Sequence, residues 1–453
     1  MGNRFFLATL CLAIAVSTAS AQDSTAARVA ERDSSAARLA AQEPTVTLVE
    51  AIRLAERVQP TVVQAQGSVR NAGAQLRAAY GQFLPSVNAS TSAGNSFSEG
   101  QSRTDPLTGQ ILNGNSSSTS VSAGLSGSID LFTGFRRGAD VRSAKAQGLA
   151  AEANLLDARF QSKLNTTQEF LSALYASQLL SVRQASVRRA EEQLKVSIAK
   201  LASGSATRSD SLRSLVTLGN ARLQLVNAQS DLATSEANLG RLIGVNSRVH
   251  ATDDSSYYEV KAPLDTNSLR SEAESQSPRV QSTAASEMAA GAAVSAAKAG
   301  YWPTLSLNGN YNYNGSDRND FSLFNNRSVS LQLSWPLFNR FTRERTITTQ
   351  ESNLDVAAAQ AEDARLQVQA SLTTQLAQLD ASRLRIEITQ VSVRAAQEDL
   401  RVQQERYRLG ASTIVDLLTS QEALDQAEVD AVNARFDFLR AKAQIEALIG
   451  RPL

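Results

Sequence analysis

Cysteine and histidine are almost missing from this sequence. Its 453 residues contain one of each, Cys11 and His250. A chain so composed has no disulfide framework and no clustered thiolates for redox or metal chemistry. One imidazole is too few for a histidine-based metal centre or proton relay. His250 sits in a polar stretch and reads as a solvated side chain. Aromatic residues make up 5% and prolines number nine, while Ala, Leu, Gln, Ser and Arg dominate. That balance suits long helices better than an ordinary globular core. The formal charge is +1, so there is no bulk basic surface and no nucleic-acid partner is expected. A glycine-rich phosphate loop and a metal-spaced ligand cluster are also lacking, so no cofactor and no enzymatic activity are expected. Acid pairs such as Glu191-Glu192 read as helical surface charges.

The longest apolar run, Phe5 to Val16, is too short to span a bilayer. Arg4 precedes it and Ala19-Ser20-Ala21 follows, the layout of a secretory signal peptide over residues 1–21. Leu10 before Cys11 argues against a lipid-anchored cysteine, so the mature chain is expected to have no cysteine. Residues 22–45 form a charged, Ala-rich, low-complexity extension with no core of its own.

What the chain does have is period. Leu372, Leu379, Ile386, Val393, Leu400 and Tyr407 recur every seven residues, the mark of long helices in a left-handed coiled packing. Gly410 breaks the run. Thr413-Ile414-Val415-Asp416-Leu417-Leu418 then opens a second helical run that ends at Leu448-Ile449-Gly450. Shifted by 206 positions, Gly410 falls on Gly204, Thr413 on Thr207, Asp416 on Asp210 and the final Leu-Ile-Gly on Leu242-Ile243-Gly244. A register held over such a distance is an internal duplication. The first repeat covers 46–244: a helix, a β-hairpin over 84–132, a long helix over 134–203 and a helix over 207–244. A linker follows at 245–264. The second repeat covers 265–453: a helix, a β-hairpin over 303–338, a long helix over 339–409 and a helix over 413–449.

The hairpins show a different period. Val121, Ala123, Leu125, Ile129 and Leu131 alternate with Ser120, Ser122, Ser126, Ser128 and Asp130. Leu305, Leu307, Tyr311 and Tyr313 alternate with Ser306, Asn308, Asn310, Asn312 and Asn314, and Val329, Leu331, Leu333 and Trp335 with Ser328, Ser330, Gln332 and Ser334. A period of two means strands with one apolar and one hydroxyl/amide face. Phe83, Phe132, Tyr301, Trp302, Trp335 and Phe338 gather where strands meet helices, the residue types a membrane interface favours.

An open sheet cannot stand in lipid with its edges unpaired, and four strands are too few to close a barrel. The chain must therefore pool its strands with other copies. A dimer gives eight strands and a filled lumen; a trimer gives twelve and room for water, which the small polar lumen residues favour. The fold class expected is mainly α with membrane β. It combines internally duplicated long coiled-coil helical hairpins with four strands per chain, contributed to a trimeric 12-stranded outer-membrane β-barrel. A soluble β-sandwich packed on a coiled coil and a coiled-coil surface or structural protein with an outer-membrane β anchor are the alternatives.

The duplication, Phe83-Leu84-Pro85 and Tyr301-Trp302-Pro303 at the helix ends, and Arg406-Tyr407-Arg408-Leu409-Gly410 through Leu418 resemble the outer-membrane efflux protein family, the TolC-like channels. The resemblance implies a homotrimer with a barrel in the outer-membrane lipid and a helical tunnel in the periplasm of a Gram-negative-type bacterium. It implies service as the exit duct of a tripartite efflux pump or type I secretion system. The implied partners are a periplasmic adaptor (membrane fusion protein) and an inner-membrane RND or ABC transporter. Gly204 with Thr207 and Gly410 with Thr413 match the periplasmic tips that meet the adaptor. Asp416 matches a carboxylate that narrows the closed mouth, Asp210 is its counterpart in the first repeat, and Tyr407 matches a tyrosine that helps hold the closed state. Thr419 stands where the family often has a second acid, and Ser412 where it has a basic residue. Asp416 also suits the plain role of an acidic residue at a helix N-terminus.

Overall fold

The computed structural model describes residues 44–100, 103–104, 107, 111–112, 116–252, 266–316, 323–449 and 451. The expected signal peptide, all but the end of the 22–45 extension, most of the 245–264 linker and part of each β-hairpin loop lie outside the described residues. In chain order the elements begin with β1 (Thr45–Val46), α1 (Leu48–Val58), α2 (Pro60–Gly81) and β2 (Ser86–Ser98). A two-residue pair, β3 (Arg103–Thr104) and β4 (Ile111–Leu112), precedes β5 (Ser116–Phe132). Then come α3 (Arg136–Ala202), α4 (Arg208–Ile243), β6 (His250–Ala251), α5 (Thr266–Gln276) and α6 (Pro278–Lys298). The chain continues through β7 (Thr304–Ser316), β8 (Phe324–Ser334), α7 (Thr342–Arg408) and α8 (Ile414–Ile449). The two long helices have 67 residues each and the two that follow them 36 each. Contacts divide the chain into two units.

The first unit comprises residues 65–155 and 278–366 and contains an antiparallel sheet in the order β2-β5-β7-β8. Alternation sets its register. Val121, Ala123 and Leu125 lie opposite Gly315, Tyr313 and Tyr311, and Leu305 and Leu307 lie opposite Leu333 and Leu331. A one-residue slip would put serine among leucines, so the register is strongly specified. On the other face hydroxyls pair across strands, as in Ser86 Oγ to Ser128 Oγ and Ser92 Oγ to Ser122 Oγ, both 2.8 Å. One detail departs from simple alternation. The ladder shifts between Asp130 and Phe132, so Phe132 pairs with Leu305 and Leu131 is the extra, bulged residue. Phe132, not Leu131, therefore ends the apolar face. The polar loop of the first hairpin also contains a short ladder, β3 with β4, where the sequence suggests only loop.

The second unit holds the remaining residues. Its core is built from the heptads and from one cluster around Phe436, Leu439, Leu171, Phe170, Leu239 and Ile243, with Val46 of β1 and Val249 just before β6. Burying each such side chain is worth about 1.5–3 kcal/mol. Leu372, Leu379, Leu400 and Tyr407 are buried along α7, as their spacing requires. Gly244 closes α4 with φ 79°, a left-handed cap that glycine adopts without strain.

The linker reading needs one correction. His250 and Ala251 form β6, which pairs in parallel with β1, and Val245 and Val249 belong to the core. His250 is not simply solvated, because its Nδ1 bonds the carboxylate of buried Glu236. A buried carboxyl group requires such a hydrogen-bond partner.

Candidate functional site

The residues singled out by sequence fall into two groups, each inside one unit. The first lies at the turns that follow the long helices. After Ala202, Gly204 takes φ 74° and after Arg408, Gly410 takes φ 76°. Neither would meet another atom if it carried a Cβ, so backbone conformation alone selects glycine here. The released helix-end carbonyls are satisfied locally. Ser205 N–H donates to Lys200 O at 2.8 Å and Ala411 N–H to Arg406 O at 2.7 Å, the pattern of a left-handed helix stop.

Both next helices then open on the same cap. Asp210 N–H donates to Thr207 Oγ1 at 3.2 Å, and Thr207 N–H donates back to Asp210 Oδ2 at 2.9 Å. In the second repeat Asp416 N–H donates to Thr413 Oγ1 at 3.2 Å and Thr413 N–H to Asp416 Oδ2 at 3.0 Å. The Thr413 hydroxyl adds a further bond to Asp416 Oδ2 at 2.8 Å. Each pair is a reciprocal capping box that satisfies two orphan donors. The Thr413 backbone N–H, and then its hydroxyl, hold the exposed Asp416 carboxyl below its ordinary value. Asp210 and Asp416 are thus structural caps, half-buried in the first case and exposed in the second.

Tyr407 is buried among Leu400, Ile414, Leu417 and Leu424. The structure does not join it to Asp210 or Asp416, and its hydroxyl is buried without a hydrogen-bond partner. What meets Tyr407 is Lys200, from the last turn of α3. The Lys200 ammonium donates to the Tyr407 carbonyl and lies 4.2 Å from the centre of its ring, a cation–π contact. Deeper in the unit Arg189 of α3 bonds Asp425 and Glu428 of α8, the latter at 2.8 Å, and Ser186 Oγ also reaches Asp425. Burial works against the Arg189 charge, but the bonds to Glu428 and Asp425 outweigh it and raise its pKa. Lys200 and Arg189 therefore tie the first hairpin to the second. Sequence reasoning missed both, since each pairs with residues more than two hundred positions away. Between α4 and α8 near the turns lies an open groove of about 390 Å³, lined by Leu212, Val216, Val415 and Leu418.

The second group lies where sheet meets helix. Arg137 stacks on Phe83 at 4.6 Å and donates to the carbonyls of Gln82 and Leu131. Arg343 stacks on Tyr301 at 4.0 Å and donates to the Pro336 carbonyl. Trp335 Nε1 donates to the Tyr301 carbonyl at 3.2 Å. Phe132 and Trp302 make edge contacts with Phe135, and Phe338 with Phe341. Phe135, Phe341, Arg137 and Arg343 were not among the expected interface residues. The signal that finds them is the same 206-position offset, which maps Phe135 on Phe341 and Arg137 on Arg343.

Comparison with known proteins bears on the chain as a whole. A profile described as outer membrane efflux protein matches residues 51–245 and 269–451. The chain is 26% identical over 397 residues to the pyoverdine export outer membrane protein OpmQ of Pseudomonas aeruginosa, covering 86% of this chain and 80% of OpmQ. It is 24% identical over 360 residues to outer membrane protein TolC of Escherichia coli, covering 74% and 70%. Its fold is similar to that of the CmeC outer membrane channel of Campylobacter jejuni, with a TM-score of 0.76 at 18% identity over 89% of this chain and 85% of CmeC.

Proposed function

The chain belongs to the outer membrane efflux protein family, and from that premise we propose that it is the trimeric exit duct of a tripartite efflux pump or type I secretion system. It is an outer-membrane channel protein rather than an enzyme, with a fold of long helices and a four-stranded sheet. The observation that carries the trimer is the sheet. Its outer strands, β2 with 13 residues and β8 with 11, each pair on one side only within the chain. Its apolar face leaves Val329, Leu331 and Leu333 exposed. Unpaired strand edges are costly in lipid. Joining β8 of one copy to β2 of the next removes every edge, and three copies give twelve strands around the serine and asparagine face.

In this reading the boundaries 46–244 and 265–453 are the two repeats, and the turns at Gly204 and Gly410 are the periplasmic tips. The groove lined by Leu212, Val216, Val415 and Leu418 receives the adaptor hairpin, and an inner-membrane RND or ABC transporter supplies the energy. Conduction is passive. The gate is closed by three copies of Asp416, assisted by Asp210, with Tyr407 and Lys200 holding the hairpins together. A ring of carboxylates both narrows the mouth and favours cations. Adaptor binding separates the hairpins and widens it.

Planar-bilayer recording combined with cross-linking tests this. A cross-linked trimer with small, cation-preferring conductance is expected, and Asp416→Ala with Tyr407→Phe should enlarge conductance and weaken cation preference. An assembly that inserts but conducts nothing would favour the anchored stalk. Unchanged conductance and selectivity in the double variant would remove the gate assignment while leaving the duct.

A further inference from the structure

The polar face of the sheet is almost without charge. Along β2, β5, β7 and β8 it consists of serine, threonine, asparagine and glutamine, with glycines and Phe324 between them. These groups bond one another. Asn310 Nδ2 donates to Ser328 Oγ at 3.5 Å. Asn312 lies across Gly124, where a Cβ would come within 2.0 Å of its Oδ1. A wall of paired neutral dipoles discriminates little between ions of opposite sign.

One residue departs from this pattern. Asp130 is the only ionisable side chain on the polar face of these four strands. The sheet's other charged residue, Arg327, is on the apolar face, opposite Tyr311 and 5.0 Å from its ring centre. Asp130 is exposed, and its carboxylate makes no ion pair or hydrogen bond among the described residues. The Arg137 guanidinium comes as near as the Leu131 carbonyl, but it is committed there, to the Gln82 carbonyl and to the Phe83 ring. The bulge fixes which way the carboxylate faces. Asp130 pairs with Ser306 on the polar face, Leu131 is extra, and Phe132 pairs with Leu305 on the apolar face. A regular strand would put residue 132 on the same face as Asp130. Bulges re-aim side chains, and this one keeps a bare carboxylate on one face and an aromatic ring on the other.

We propose that Asp130 is a charge-selecting residue of the duct, favouring cationic cargo and slowing anionic cargo. The proposal rests on the trimeric reading above, in which three copies set three carboxylates in one ring on a neutral wall. Twelve tilted strands about 4.8 Å apart close on a backbone radius of about 12 Å. Carboxylates standing in from that wall lie within about one Debye length of the axis, ~10 Å at 0.1 M salt. Such a ring attracts cations and repels anions across the whole lumen. It acts as a standing field, not as a constriction. It is also separate from the tip, since Asp130 and Asp416 belong to different units.

Planar-bilayer recording under a KCl gradient tests this, with Asp416→Ala plus Tyr407→Phe as the reference protein so that the tip field is weakened. Adding Asp130→Asn, an isosteric change, should lower the K+ over Cl− permeability ratio about threefold at roughly 0.1 M salt and hardly at all at roughly 1 M, where the Debye length is about 3 Å. Asp130→Glu should keep the ratio. Asp130→Cys guards against an indirect effect, because the chain's other cysteine, Cys11, lies in the expected signal peptide. Its reaction with a sulfonate-bearing methanethiosulfonate should restore the ratio, and with an ammonium-bearing one should lower it further. A cross-linked, conducting trimer whose ratio is the same with Asp130 and with Asp130→Asn would overturn the ring and leave the duct standing. Protein that inserts but conducts nothing would overturn the duct and the ring with it.

Discussion

The two helical turns wear the same cap over different interiors. Gly204 and Gly410 share a backbone conformation, and Thr207-Asp210 and Thr413-Asp416 share a capping box. Beneath the second turn an apolar cluster of Leu400, Tyr407, Ile414, Leu417 and Leu424 runs to the tip. Beneath the first, the positions matching Tyr407, Ile414 and Leu417 are Leu201, Arg208 and Ser211. Leu201, a seam position by heptad spacing, is exposed there because it has no apolar partner to face. The apolar cluster of Val187, Ala190 and Leu218 stops short of the turn, and a buried hydroxyl pair, Ser197 with Ser214 at 2.8 Å, takes over. Duplication has preserved the turn chemistry, which is local, and let the packing diverge. The second tip is held from within, whereas the first is held by its cap and by Lys200 reaching across to Tyr407.

The sharpest way to break this contrast is to hollow each tip. Leu417 is 1% exposed and Leu212 is 51% exposed. Leu417→Ala should therefore cost about 2–5 kcal/mol of local stability, while Leu212→Ala should stay within about 0.5 kcal/mol. Amide hydrogen exchange reads both: residues 405–420 should exchange faster in the first variant, and residues 200–215 should hardly change in the second. Equal responses would mean that the two interiors do not differ as described. The ties between hairpins come next. Arg189→Met leaves Asp425 and Glu428 facing each other partly out of water, and the loss should be about 1–3 kcal/mol, below that of a fully buried pair. Asp425→Asn in the same chain should recover part of it, and a thermal denaturation cycle decides. Lys200→Met removes a hydrogen bond and a cation–π contact but leaves no buried charge behind. It should cost less, about 1 kcal/mol, and raise the conductance of the resting channel. A variant that conducts like the parent would show that Lys200 holds the tip without gating it.

The features that were legible beforehand are those that depend on neighbours in sequence. Heptad leucines, the two glycine stops and the serine/leucine alternation of β5 each state a local preference, and each element forms where that preference lies. Together they gave long helical hairpins joined to membrane strands, and the resemblance of Arg406 through Leu418 to the efflux family supplied the rest. Other features depend on which parts of the chain meet. Nothing near His250 announces Glu236, and nothing near Lys200 announces Tyr407. The bulge at Leu131 is a matter of register with β7, not of the residue itself. Asp416 is the instructive middle case. Its place three residues after Thr413 is a capping signature, and the structure realises it, but that same cap neither requires nor forbids a gating role. At the border of sheet and helix, Phe135 and Phe341 adopt a left-handed conformation their own type disfavours. Single-residue preference points away from such positions, and only comparison of the two repeats reveals them.

The smallest effects concern the caps, where the two tips should behave alike. Thr207→Ala and Thr413→Ala should each cost about 1 kcal/mol, and a large difference between them would show that the interiors, not the caps, hold the turns. The second cap also has an electrostatic signature. Asp416 is held below its ordinary value of 3.8 by the Thr413 N–H first and the Thr413 hydroxyl second. A carboxylate lowered in the folded state contributes stability that is complete above its unfolded pKa and lost as pH falls through the folded one. The tip should therefore keep its charge and its cation preference down past pH 3.8. Thr413→Ala keeps the N–H and deletes the hydroxyl, so the Asp416 pKa should rise only part of the way back. Carboxylate titration by NMR, or the pH at which reversal potential collapses in a bilayer, measures the shift. Superimposable curves for the two proteins would mean that the threonine hydroxyl adds nothing to the carboxylate, and the cap would then rest on the backbone alone.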